Sequence, residues 1–132
     1  MLFRSPEAYG PAGTIRHKMR PAFTEEYWTE NREVVDQVVD WRLDTDPSDR
    51  AYEWQSAAAV AFDASDRLDE LTLPTLVLHG TEDRVLPVEN GRLVADLVPD
   101  ATLVEIEGGS HLFFIELAER VNGELREFLS DD

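Results

Sequence analysis

The chain has 132 residues, 42% of them hydrophobic, and a formal charge of −16 from 28 acidic and 12 basic side chains. That describes one ordinary folded domain and not a disordered chain. The absence of cysteine excludes a disulfide framework or thiolate metal site, and the carboxylate surplus disfavours nucleic acid, which needs a cationic footprint.

The three histidines, at 17, 79 and 111, are too scattered for metal-ligand spacing. No apolar run approaches the roughly 18 residues that span a bilayer. Met1–Pro6 lacks the apolar core of a secretion signal. The expectation is a soluble, cytoplasmic protein. Eleven of the twelve basic residues are arginine, Lys18 being the exception, and the negative excess lies after residue 22. Self-repulsion of this size is relieved by screening. The pattern fits a halophilic protein of a high-salt cytoplasm better than an acidic protein of an ordinary one.

In chain order, residues 1–22 read as irregular, because Pro6, Gly10, Pro11, Gly13 and Pro21 punctuate them densely. Arg16, His17, Lys18 and Arg20 form a basic cluster. A solvated face or pairing with acidic neighbours accounts for it more readily than a phosphate site. Thr24 then caps a helix whose first turn carries Glu25 and Glu26. Tyr27, Val34, Val38 and Trp41 recur at helical spacing, as do Trp28, Val35 and Val39.

Asp46-Pro47 reads as the N-cap and first residue of a second helix. Its buried stripe would be Trp54, Ala57, Ala58, Ala61 and Phe62. Aromatic stripes at this spacing usually mark core packing and not ligand boxes. Residues 63–73 form a connector or short helix.

Residues 75–79 are a continuous apolar strand, as in a sheet covered on both faces. Gly80 lets the chain turn. A helix follows over 87–97, directing Val94 and Val98 inward, although Gly91 weakens it by about 1 kcal/mol relative to alanine. A second strand spans 101–106, and Gly108-Gly109 turn the chain before His111. The last helix, 113–129, has Phe114, Leu117, Ala118, Val121, Leu125 and Phe128 as its stripe, with Glu116 near its positive end. A strand-helix-strand unit makes the two strands parallel, so Asp83 and His111 leave the sheet at the same edge.

Residues 73–87, L-P-T-L-V-L-H-G-T-E-D-R-V-L-P, resemble the penultimate strand and acid loop of the α/β-hydrolase superfamily. Residues 101–116, A-T-L-V-E-I-E-G-G-S-H-L-F-F-I-E, resemble its last strand and histidine loop. Residues 23–62 are similar to the helical lid inserted before them. The resemblance implies the C-terminal portion of an α/β-hydrolase fold: two parallel strands with flanking helices, preceded by the lid. The implied organisation is an N-terminal segment 1–22, a lid 23–73 and a core portion 74–132.

It also implies Asp83 as triad acid and His111 as general base in hydrolysis of an ester, lactone or similar small acyl substrate. Glu82 is the second candidate for the acid, and His79, at a strand end, reads as structural. No cofactor, nucleic acid or membrane partner is implied. The pattern departs from the family in one respect. Ser5, Ser48, Ser56 and Ser65 have no flanking glycines, and neither G-x-S-x-G nor an H-G-G stretch occurs.

Two parallel strands are marginal without a wider sheet, and an apolar unpaired edge invites association. The expectation is a fragment or split half, with a companion chain supplying the N-terminal half and its nucleophile. The alternative is a non-catalytic helical interaction protein derived from a hydrolase. A metal-dependent hydrolase fits poorly. From the charge alone, thermal melting should shift upward from low salt to molar KCl. The shift should be about 4 °C or more per kcal/mol of repulsion relieved; an unchanged or lower Tm would refute the high-salt reading.

Overall fold

The computed structural model describes residues 10–130. Strand β1 (Thr75–Gly80) pairs in parallel with β2 (Ala101–Ile106), from Thr75 opposite Ala101 to Gly80 opposite Ile106. Helix α5 (Val88–Leu97) joins the two strands and packs on both. The register sets His79 beside Glu105. It also brings the loops after Gly80 and Ile106 out at one end.

Upstream lie α1 (Gly10–Met19), α2 (Glu25–Glu30), α3 (Arg32–Thr45) and α4 (Asp49–Ala61), followed by a 3-10 turn over Ser65–Glu70. A main cluster of buried residues is not between helices and sheet. Ile15, Met19, Phe23 and Val39 are buried together, and Leu112 and Ile115, just after His111, pack against them. Phe23 is fully buried, stacked on Tyr27 at 5.8 Å and tilted against Trp28. The segment around Phe23 is thus the apolar floor of the histidine loop.

Several elements differ from their sequence-based expectation. The stretch read as irregular contains α1, because Pro11 sits in the first turn, where its missing N–H costs nothing. Pro21 falls beyond the helix, in the 3-10 turn Arg20–Ala22. Pro6 lies outside the described residues. Of the basic cluster, Arg16 pairs with Asp36 and Arg20 with Glu25. The helix after Thr24 breaks at Asn31, whose backbone is non-helical. Thr24 does cap it, accepting from the Tyr27 N–H at 3.2 Å.

Asp46 is not the cap of α4. It binds Arg42 through two contacts of 2.7 and 2.9 Å, while Ser48 accepts from the Ala51 N–H. The stripe assigned to α4 is not core either: Trp54 is 63% exposed, Phe62 is 77% exposed, and no residue of the helix is buried. The last helix is two pieces, α6 (Phe113–Glu116) and α7 (Ala118–Ser130), of which Val121 alone is buried. Phe114 and Leu125 face outward.

Described residues cover these helices only in part: Ile115 packs on the Phe23 cluster and Val121 is buried, while most of the remaining apolar side chains stay exposed. The sheet has two strands among the described residues, so each keeps one edge unpaired. No helix of the described chain is long and apolar enough to cross a membrane. Phe23→Ala should therefore cost about 3–5 kcal/mol in denaturant unfolding, whereas Trp54→Ala should stay within about 0.5 kcal/mol. Equal costs would place the core elsewhere.

Candidate active site

Asp83 follows β1 by three residues, and its side chain is only 4% exposed. One carboxylate oxygen, Oδ1, accepts the Val85 and Leu86 N–H groups, both at 2.8 Å. The other, Oδ2, lies 2.9 Å from Nδ1 of His111. Burial opposes the charged form. The Leu86 N–H, His111 and the Val85 N–H outweigh it, so the carboxyl stays below its ordinary value. A carboxylate only accepts, so His111 Nδ1 carries the proton and Nε2 has the free lone pair. The imidazole is about one-third exposed, and Nε2 has no hydrogen-bond partner among the described residues.

The two loops are stitched together by backbone. The Thr81 N–H donates to Ile106 O at 3.0 Å, the Glu82 N–H to Gly109 O at 2.9 Å, and the Gly108 N–H to Thr81 Oγ1 at 2.9 Å. Gly80 is required by this closeness and not by its own turn. Its φ is ordinary, but a Cβ there would lie 2.5 Å from Ser110 O and nearer still to Gly109 O. Gly108 is the residue that needs glycine for conformation, with φ of 71°. Glu82, the second candidate acid, is exposed and does not bond to His111. His79 also approaches Asp83, with Nε2 3.4 Å from the same Oδ2.

Sequence reasoning missed a second layer of contacts. Glu116, in the first turn of α6, is also an acceptor for three groups: Thr24 N–H at 2.8 Å, Thr24 Oγ1 at 3.2 Å and Ser110 Oγ at 2.8 Å. Arg84, next to the acid, donates to Phe23 O at 2.5 Å and Arg20 O at 3.3 Å. Residues 20–24 are therefore held from both loops at once. One sequence signal for Glu116 is a carboxylate set between Ile115 and Leu117, which demands donors wherever that stretch packs. The serine beside the histidine is committed, since Ser110 is fully buried on Glu116.

Between residues 24–31 and the two loops lies a cleft of about 860 Å³, within the range of small-molecule sites. Thr24, Tyr27, Asp83 and Arg84 line it, with Glu25, Glu26 and Glu82 adding negative charge. No group of three or more potential ligands among the described residues would hold a metal ion.

Residues 14–118 match the family model described as serine aminopeptidase, S33. Among relatives, the mouse (Mus musculus) protein ABHD8 is 45% identical over 60 residues, covering 46% of this chain and 14% of that protein. Among solved structures, Est816, described as an N-acyl homoserine lactone degrading enzyme, is similar with a TM-score of 0.70 and 27% identity. That likeness covers 97% of this chain and 52% of the other. An esterase of Thermogutta terrifontis gives 0.72 and 32% identity, covering 95% and 47%. The chain thus spans about half the length of the solved structures, and a smaller share of ABHD8.

Two outcomes follow from the geometry. Gly80→Ala should destabilise by about 3 kcal/mol, because the three nearest clashing atoms are all backbone and the loops must part; a cost near zero would deny the backbone contact. Asp83 has a folded-state pKa below its unfolded value, so its stabilisation is complete above the unfolded value, about 3.9. It is lost as pH falls through the folded one. Asp83→Asn should thus flatten the acid limb of the stability curve below about pH 4, and an unchanged limb would contradict the depression.

Proposed function

Because this chain belongs to the serine aminopeptidase S33 family of the α/β-hydrolase superfamily, we propose that Asp83 and His111 are the acid and base of a Ser-His-Asp triad. The reaction is hydrolysis of an ester, lactone or similar small acyl bond. The observation that carries this reading is the 2.9 Å bond between a sequestered carboxylate and an imidazole whose far nitrogen is open. His111 Nε2 takes the proton of a serine as it attacks the acyl carbon. Asp83 stabilises the imidazolium, and the same proton then passes to the leaving group. No cofactor enters this chemistry.

In this reading, the serine and the oxyanion-hole donors come from chain outside these 132 residues, in the same polypeptide or in a companion. No described serine hydroxyl bonds to His111, and Ser110 is spent on Glu116. The unpaired edge of β1 would take the companion's strands. Residues 23–73 act as a lid over the cleft, and the acidic surface suits a high-salt cytoplasm. The exposed aromatics Tyr52, Trp54 and Phe62 favour one second reading, a non-catalytic interaction protein. That protein would tolerate Asp83→Asn and His111→Gln without loss of function.

The test is a chromogenic-ester assay in molar salt, with and without a polypeptide supplying the G-x-S-x-G half. Turnover is expected only with both halves and should fall at least about 10³-fold on His111→Ala. Turnover by this chain alone, or turnover indifferent to His111, would overturn the proposal.

A further inference from the structure

His79 looks at first like a strand-end residue satisfied by its surroundings, yet three features converge on its ring. Its Nε2 lies 3.0 Å from the carbonyl oxygen of Leu86. The N–H of that same Leu86 holds Asp83 Oδ1. The same Nε2 is 3.4 Å from Asp83 Oδ2, the oxygen that serves His111. The three residues close a ring: histidine to carbonyl, amide to carboxylate, carboxylate back to histidine.

A carbonyl only accepts, so His79 carries its proton on Nε2. Gly91 supplies the second observation. A Cβ at that position would fall 2.8 Å from His79 Nδ1 and 2.9 Å from its Cβ. The helix cost of Gly91 is thus explained by letting α5 lie directly on the imidazole. The neighbour on the other strand, Glu105, is hydrogen-bonded by Arg92 of α5 at 2.5 Å and acts on the ring through charge alone. The side chain is 13% exposed, so water has little access to replace these contacts.

We infer that His79 is a positioning residue for the acid: its Nε2–H fixes the 83–86 turn through the Leu86 carbonyl and faces the carboxylate oxygen that orients His111. A residue that merely filled space under α5 would need an aromatic ring but no proton on Nε2. One that positions the acid needs that donor and tolerates loss of the ring. The inference rests on the dyad proposed above, but its readouts use no turnover. Absence of hydrolysis would therefore remove that proposal without touching this one, and the reverse also holds.

The experiment is imidazole ¹⁵N NMR on the chain, which has only three histidines to assign, with amide hydrogen exchange. In the unaltered chain at alkaline pH, His79 should be protonated on Nε2. His79→Phe keeps a ring under Gly91 but removes the donor. It should displace the His111 Nδ1–H resonance and speed exchange of the Leu86 amide about tenfold. His79→Gln, which places an N–H near the same point, should restore both. An Nδ1–H tautomer in the unaltered chain would overturn the inference even if His79→Phe does not fold. So would a His79→Phe spectrum matching that of His79→Gln.

Discussion

The pairing of the two loops beyond the sheet depends on how one carboxylate divides its two oxygens. Asp83 gives Oδ1 to the backbone of its own turn and Oδ2 to His111. The first pair of bonds fixes the carboxylate as a rigid part of the loop. Only then does the second orient the imidazole and not merely attract it. Buried as it is, the charge persists because each oxygen meets a donor. If the turn slackened, Oδ2 would swing and His111 would lose both its tautomer and its direction.

What places that carboxylate opposite His111 is the sheet, through a requirement on backbone and not on side chains. Parallel pairing from Thr75–Ala101 to Gly80–Ile106 ends both strands level, and the glycines allow the following loops to touch. Loops that hydrogen-bond to each other at Thr81, Glu82 and Gly108 behave as one piece. Asp83 and His111 therefore share a single backbone frame, which fixes their mutual alignment.

The strands, their order and the Asp83–His111 apposition were legible because each rests on local signals. These are an apolar run, a glycine-bearing turn and a helix of the right length between. The packing partners of the helices were less legible. Periodicity locates a stripe on α4, but a stripe becomes core only if something covers it, and Trp54 and Phe62 meet no such surface among the described residues. The helix at residues 10–19 was obscured by prolines whose cost depends on position within the helix. Glu116 and Arg84 were invisible for another reason: their partners in residues 20–25 lie 59 to 92 positions away, and no periodicity reports on such distances.

Those two residues hold the start of the helical layer at separate points, Glu116 through the amide and hydroxyl of Thr24 and Arg84 through the carbonyls of Arg20 and Phe23. A body fastened at one point swivels; fastened at two, it loses most of that freedom. Helix α3 is held as well, because its Val39 is buried with Ile15, Met19 and Phe23 and its Asp36 pairs with Arg16, so freedom begins only beyond α3. The joint this leaves is the extended Asp46–Ser48 link ahead of α4, a helix with no buried residue. Movement of α4 about that link would leave the bond between Asp83 and His111 undisturbed.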